Sequence, residues 1–430
     1  MTDPATTSRA DTQPLRVLPI GEVRAAAPTP IDENTRLAAR DIVDAVRTEG
    51  ESGLRAFAER LDRLAPDAPL LYDRDALQRA LESVDADTRA LLERTAARIA
   101  AFADAQRAAI QPLDVEVPGG RAGHDVVPVA AAGCYAPGGR YPLPSSVLMT
   151  AVTARSAGVE RVVVASPDPH PVVLAAAAVA GADALLATGG AQAVAALAYG
   201  IPGLTEPVDI VVGPGNRWVT AAKQIVYGDV GIDLPAGPSE LVVLADGTAD
   251  PDLIAADLLA QAEHDPDARP ALVTTDASLV ERVERHLAER LAVLDTAEVA
   301  RAALGEGFAT VASTFEEALE AVDALAPEHL QICVKDPAAA KDRLRHFGAA
   351  FLGERSAEVF GDYGVGPNHV LPTGGAARYS GGLGVLSFLR VRTWLRLDDV
   401  APVATDVETL ARLERLTGHA EASRARSTAR

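Results

Sequence analysis

The amino-acid sequence predicts an α/β protein built around two doubly wound sheets of parallel strands. Three observations carry that expectation. Short unbroken apolar runs recur from the middle of the chain onward, among them "RVVVA", "VDIVV", "SELVVLA", "RPALVTT" and "LQICV". Most are joined to a helical pattern, and continuous apolar strands alternating with helices are the mark of a sheet buried on both faces. At 430 residues, the chain also exceeds the size at which a single core keeps growing, so the runs must divide into more than one unit.

In chain order, residues 1–15 read as a flexible tail rich in Pro, Thr and Asp. Residues 16–110 form an N-terminal segment and helical unit, in which "TRLAARDIVDAVRTEG", "SGLRAFAERLDRLA" and "DADTRALLERTAARIAAFADAQ" carry apolar residues at helical spacing. Nothing among their side chains converges chemically, so packing and subunit contact are their default roles. Residues 111–238 make the first α/β domain. Period-two valines around a Gly-Gly turn predict a hairpin, followed by the loop "YAPGGRYPLPSS" and three strand–loop–helix units. In such sheets ligands sit beyond the carboxyl ends of the strands, where "TGGAQA" and "GPGN" fall as candidate phosphate or ribose loops. The fingerprint G-x-G-x-x-G is absent, so the standard dinucleotide reading has no licence here, and both loops equally suit ordinary tight turns. Residues 239–378 repeat the strand–helix texture in a second α/β domain. Residues 379–430 hold a glycine-rich entry, an apolar strand-like run and the helix "DVETLARLERLT", too small to fold alone, with "ASRARSTAR" expected to be loose.

Composition narrows the function. A formal charge of −20 argues against capture of nucleic acid or of an anionic membrane and favours a small-molecule partner. No apolar run is long enough to span a bilayer, and the N-terminus lacks the apolar centre of a secretory signal, so a cytoplasmic protein is expected. The two cysteines, Cys134 and Cys333, lie in apolar surroundings and are expected to be buried free thiols.

The stretch from Leu234 to Pro270 places a Gly/Pro loop, a strand and a helix ahead of "QAEH". Gln261 and His264, three apart, would share a helical face and offer half of a divalent-metal site. "GDYGVGPNH" has too many helix breakers to be helical throughout, which assigns Asp362 and His369 to a loop. Gln261, His264, Asp362 and His419 together would offer two imidazoles and two oxygens, a set suited to zinc. Glu414 and His419 lie about 140° apart on an ideal helix, unless Gly418 ends it in a left-handed cap and frees His419 to turn. In "APEHL", Glu328 and His329 have the chemistry of an acid and a base, usable together only on an irregular turn. Any one of these histidines also suits a hydrogen-bonded structural role.

The blocks "YAPGGRYPLPSSVLM", "TGGAQA", "GPGNRWV", "DLPAGPSE", "QAEHDP", "APEHL", "GDYGVGPNHVLPTGG" and "ERLTGHAEA", in this order, closely resemble the histidinol dehydrogenase family. For the fold, the resemblance implies two incomplete Rossmann-like doubly wound domains and a homodimer whose C-terminal segments are swapped. For the chemistry it implies oxidation of L-histidinol through L-histidinal to L-histidine, with NAD+ used twice at one site containing Zn2+. It implies that Gln261, His264, Asp362 and His419 hold the zinc and that Glu328 and His329 are the catalytic acid/base residues. By the same resemblance Ser239, His369 and Glu414 hold the substrate, and Tyr135, Gln192 and Asn216 contact NAD+. Glu414 and His419 would serve the other subunit's site. A zinc hydrolase using Glu328 as general base, and a non-catalytic metal-dependent assembly, are the alternatives that the same residues allow.

Overall fold

The computed structural model of the chain describes residues 15–26, 31–138, 141–234 and 237–428. The tail before Leu15 lies outside them, as do Gly139 and Arg140 of the "YAPGG" loop and Pro235 and Ala236 of "LPAGPSE".

Two six-stranded sheets form the body of the molecule. The first runs in spatial order Leu71–Asp73, Ala184–Leu186, Arg161–Ala165, Ala131–Tyr135, Ile210–Val212 and Gly231–Ile232. All are parallel except Leu71–Asp73, which pairs antiparallel with Ala184–Leu186. The second runs Arg16–Val17, Phe308–Val311, Arg269–Thr274, Glu240–Ala245, His329–Cys333 and Ala349–Leu352, parallel throughout. The winding is the same in both. The chain starts at a central strand, lays two strands outward on one side, returns and lays two on the other, and a short strand from the N-terminal segment closes one edge. Both sheets are therefore doubly wound, as the apolar runs predict.

Burial explains those runs. All six residues of Glu240–Ala245 and all five of Ala131–Tyr135 are buried, because helices cover both faces of each sheet. The helices of the N-terminal segment contribute to that cover. Ala39, Val43 and Leu54 pack on one face of the first sheet with Val194 and Leu197, while Leu77, Leu92 and Ile99 pack on the other with Val147 and Met149. These helices begin where their sequences say they should: Asp32, Asp73 and Asp85 each accept a hydrogen bond from the backbone N–H three residues on. Cys134 and Cys333 are buried in separate cores, and burial pushes both thiols up to about 12.

A third, antiparallel sheet joins the hairpin Leu113–Val117 and Gly120–Pro128 to the strand Leu389–Leu397. The Gly-Gly turn is required by contact as well as by backbone angle. Gly119 has a φ of 84°, its carbonyl accepts from the N–H groups of Asp398 and Asp399, and a Cβ there would lie 1.9 Å from the Asp399 carbonyl oxygen. Two helices follow, Ala401–Leu413 and Thr417–Thr428. Two expectations are corrected at this end. The chain turns at Arg415, whose φ is 62°, rather than at Gly418, which lies inside the second helix. "ASRARSTAR" is helical through Thr428 rather than loose, held by contacts such as the Ser423 hydroxyl donating to the Ala404 carbonyl at 3.0 Å. Among the described residues, no helix is long and apolar enough to cross a membrane.

Candidate active site

A group of buried polar side chains, Glu240, Gln261, Glu328, His329 and Glu358 among them, lies at the amino ends of the second sheet's strands. Helix Pro251–Ala262 is capped by Asp250 and buries its apolar face, and its last turn carries Gln261 to a fully buried position where neither amide atom finds a hydrogen-bond partner. His264 lies just past the cap residue Glu263, tied by its N–H to the Gln261 carbonyl, so it is not on the helix that its spacing suggests. Its Nε2 is 3.6 Å from Asp362 Oδ2. Asp362 is likewise not in a loop: it closes the short helix Glu358–Asp362, and the breakers act only after it. His369 does lie in irregular chain beyond, with Nδ1 3.0 Å from the Asp362 carbonyl oxygen and Nε2 3.4 Å from Ser146 Oγ of the first domain.

Glu328 and His329 do sit at an irregular turn. Ala326 ends helix Phe315–Leu325 in the left-handed region, Pro327 follows, and His329 opens the strand beside Glu240–Ala245. The Glu328 carboxylate accepts the Glu240 N–H at 2.8 Å, while His329 Nδ1 lies 3.1 Å from the Glu240 carbonyl oxygen. A carbonyl can only accept, so the Nδ1 atom carries the proton and Nε2 keeps its lone pair. That Nε2 is buried, has no hydrogen-bond partner and lies 3.7 Å from Asp362 Oδ1.

Burial is the chief influence on this group. It pushes His329 down to about 4, so that its imidazole is neutral at pH 7. It pushes Glu240 up to about 7, and burial with the neighbouring Glu240 and Asp362 carboxylates holds Glu328 well above the usual range. Burial likewise raises Glu358, aided by Asp362 and Glu328, and lowers His369. For Asp362, burial works upward but is outweighed by His264, His329 and His369, and the net shift is down. The Asp362 carboxylate in turn raises His264.

The first domain offers the opposite edge, the carboxyl ends of its strands. Tyr135 ends the strand Ala131–Tyr135, Gln192 lies in the first turn of helix Gly190–Tyr199 and Asn216 caps helix Arg217–Val226, and they differ in access. Tyr135 is 4% exposed and Gln192 only 1%, whereas Asn216 is exposed, its Oδ1 accepting the N–H groups of Trp218 and Val219 as a helix cap. The "TGG" loop is organised from the N-terminal segment: one carboxylate oxygen of Asp62 accepts from Thr188 Oγ1 at 2.9 Å, Gly189 N at 2.8 Å and Gln192 Nε2 at 3.0 Å. The Tyr135 hydroxyl accepts from Gly190 N at 3.2 Å, and burial pushes that phenol up to about 12. The "GPGN" loop is held by a buried ion pair, in which Asp233 accepts from Gly213 N at 2.7 Å and pairs with Lys223, and Lys223 donates to the Gly213 carbonyl at 3.0 Å. Gly213, at φ 122°, is obligatory, since a Cβ would lie 2.1 Å from the Tyr135 carbonyl oxygen.

Of the residues singled out by sequence, Gln261, His264, Glu328, His329, Asp362 and His369 are brought to one edge. Ser239 immediately precedes Glu240 and is half-buried. Glu414 and His419 are not brought there: both are exposed on the C-terminal helices, and no hydrogen bond or ion pair among the described residues links them to Asp362. Sequence reasoning missed Glu358, Glu240 and Asp62. Glu358 is four residues before Asp362, the helical spacing that would have found it had the glycines not hidden the helix.

The residues fit a divalent cation. One donor atom each from His264, Glu358 and Asp362 lies within 4.8 Å of the others, and buried donors of Gln261 and Glu358 are left without partners. Helices Pro251–Ala262 and Glu358–Asp362 also end there, bringing the negative ends of their dipoles toward a positive charge. A buried carboxyl group of raised proton affinity and a neutral imidazole, beside donors that suit a cation, give this α/β fold the groups of a class of enzyme that moves protons.

Comparison with known proteins makes the class specific. The family model described as histidinol dehydrogenase matches residues 27–427, and the chain belongs to that family. It is 47% identical to the histidinol dehydrogenase of Thermus thermophilus over 385 residues, covering 89% of this chain and 92% of that one. It is also 47% identical to that of Haloarcula marismortui over 397 residues, covering 90% and 92%. The crystal structure of histidinol dehydrogenase from Elizabethkingia anophelis superposes with a TM-score of 0.90 at 30% identity, covering 96% of this chain and 98% of that one. The protein is an oxidoreductase of histidine biosynthesis.

Proposed function

We propose that this enzyme oxidises L-histidinol through L-histidinal to L-histidine, using NAD+ twice, at the amino edge of its second sheet. The observation that carries the reading is the His329 imidazole, neutral and fixed by the Glu240 carbonyl, with an unpartnered Nε2 in the same pocket as the Asp362 carboxylate. That nitrogen takes the alcohol proton in the first oxidation and serves again in the second. Glu328, with its carboxylate fixed by the Glu240 N–H and its affinity for protons raised by burial, draws a proton from water as the water adds to the aldehyde. Ser239 and His369 line the substrate's approach.

Gln261, His264, Asp362 and, from the partner subunit, His419 would hold one Zn2+, with Glu414 reaching the substrate from the same partner segment. The chemistry a zinc ion would supply there is an anchor for the substrate's nitrogen groups that would leave the alcohol carbon free to react. Tyr135, Gln192 and Asn216 on the first domain's carboxyl edge would hold NAD+, which would supply the hydride acceptor. The exposed apolar side chains of the C-terminal segment support a homodimer with that segment exchanged: Val391, Leu395, Leu410, Leu413 and Leu416 face outward, Leu413 at 77% exposure.

The test is NADH formation from histidinol and NAD+ before and after metal removal. The expected result is two NADH per histidine formed, lost on chelation and restored by zinc. A metal-dependent hydrolysis without NADH, or full turnover by verified metal-free protein, would overturn the reading.

A further inference from the structure

The segment from Gly364 to Val370 belongs by sequence to the second domain, yet it is built on the first. Gly364 has a φ of 79°, its carbonyl accepts from Arg98 Nε at 2.7 Å, and a Cβ there would lie 2.4 Å from the Thr95 methyl of helix Ala86–Ala108. Val370 is 1% exposed and joins the first domain's core with Val147 and Met149. Between these two anchors Asn368 grips helix Pro144–Ala157, which follows the strand ending in Tyr135. Its Nδ2 donates to the Met149 carbonyl at 2.8 Å and to Thr153 Oγ1 at 3.1 Å, while its Oδ1 accepts the Val370 N–H at 3.0 Å. The Thr153 hydroxyl gives its proton to the Met149 carbonyl at 2.6 Å, which leaves its oxygen to accept. Both amide protons of Asn368 are therefore used, and an aspartate in its place would set an oxygen against the Met149 carbonyl.

His369 is the next residue. Its Nδ1 lies 3.0 Å from the Asp362 carbonyl oxygen of the second domain, and its Nε2 lies 3.4 Å from Ser146 Oγ of the first. Ser146 and Thr153 are seven apart, about two helical turns, so one face of helix Pro144–Ala157 meets both Asn368 and His369. The imidazole thus sits on the seam between the domains, and Asn368 is the side chain that fixes the backbone beside it to the first. Transfer of hydride across such a seam needs reacting atoms about 3–3.5 Å apart, and a misplacement of about 1 Å can cost about a hundredfold in rate.

Resting on the reading that His369 meets the substrate and that the first domain holds NAD+, we propose that Asn368 is a positioning residue for hydride transfer. It fastens the substrate-side imidazole to the cofactor-bearing domain and so sets the distance from the substrate's alcohol carbon to the hydride acceptor. It touches neither substrate nor cofactor.

The test is the first turnover of the zinc-loaded, full-length protein. The rate constant for the first NADH is measured with protein in excess over histidinol and NAD+ saturating, using histidinol that carries hydrogen or deuterium on the alcohol carbon, and circular dichroism identifies the folded variants. Asn368→Ala is expected to lower that rate constant by about 10–100-fold, to show a primary deuterium effect on it, and to leave the KM for NAD+ unchanged. A first-turnover rate constant is independent of the fraction of protein that is folded, so a merely structural role would not move it. Thr153→Val, close in volume, removes one acceptor of the clamp and should lower the rate constant by about two- to tenfold, the worth of one hydrogen bond, whereas Thr153→Ser keeps the hydroxyl and should match wild type. This second pair decides the matter if Asn368→Ala does not fold. An unchanged rate constant in folded Asn368→Ala or in Thr153→Val, a fall without a deuterium effect, or a KM for NAD+ raised in proportion would overturn the assignment. If wild type forms no NADH from histidinol, the proposed function itself fails; if it does and the variants match it, only this proposal fails.

Discussion

The two α/β halves are wound alike and use opposite edges. In the first, the loops of interest follow the carboxyl ends of the strands and open helices, so positive helix ends face that edge while the N–H groups of Gly189, Gly190 and Gly213 are taken by Asp62, Tyr135 and Asp233. In the second, the titratable cluster sits at the amino ends, where helices finish and their negative ends favour cations. The halves also treat polar groups differently. Asp62 and Asp233 satisfy donors of the "TGG" and "GPGN" loops internally. The second pocket instead leaves Gln261, His329 Nε2 and Glu358 Oε2 buried without partners. One winding thus supplies one edge whose polar groups are satisfied and one whose buried polar groups are not, and the proposed placing of the dinucleotide at the first and the metal at the second rests on that division.

Substitutions can break that contrast. The largest effect belongs to the second half. His329→Asn should lower kcat for histidinol by about 10²–10⁴-fold, the range of a lost general base, with little change in KM; steady-state NADH formation reads it, and normal turnover would remove Nε2 from proton transfer. Next is the first half's ion pair. Lys223→Met leaves Asp233 buried and uncompensated and should cost about 3–5 kcal/mol of stability, measured by denaturant unfolding, whereas joint replacement of both residues by apolar ones should cost much less. A smaller effect is expected at Asp62. Asp62→Asn should raise the KM for NAD+ several-fold, by about 1–2 kcal/mol for a weakened charged hydrogen-bond network, while the histidinol KM stays put; equal shifts in both would contradict a role confined to the first edge. The smallest is a pH effect at Asp183. Burial alone would raise this carboxyl, but the Val162 N–H with Arg155 and Arg74 outweighs it and lowers it. A carboxylate lowered on folding stabilises above its unfolded value, near 3.8, and that contribution fades as pH falls through the folded value. The stability gap between wild type and Asp183→Asn should therefore be constant from neutral pH to about 5 and narrow below the usual carboxylate range, as thermal melts across pH would show.

Much of this was legible before any coordinates. The apolar runs specify both sheets because strands covered on two faces need no polar alternation. "QAEH" and "APEHL" mark the second pocket because glutamine, glutamate and histidine interrupt otherwise apolar surroundings. What stayed hidden depends on distance along the chain. Asp62 reads as one charge among many in "ERLDRLA", since its partners come 126 to 130 residues later. The short helix of Glu358 is masked by the glycines after it. No sequence pattern states that the second half works from the amino ends of its strands, for edge choice is settled only when the domains pack. The C-terminal helices were misread at Arg415, a left-handed residue that no glycine announces.

The two-residue strand Arg16–Val17 pairs with Phe308 and Ala309, nearly three hundred positions downstream. As the chain leaves the ribosome, this strand has no seat until the whole first sheet with its helices, and the strands Glu240–Ala245 and Arg269–Thr274 of the second, have been made. A ribosome stalled before residue 308 would display those residues unpaired, so protection of the Leu18 N–H, which donates to the Ala309 carbonyl, from hydrogen exchange would report that synthesis has passed that strand.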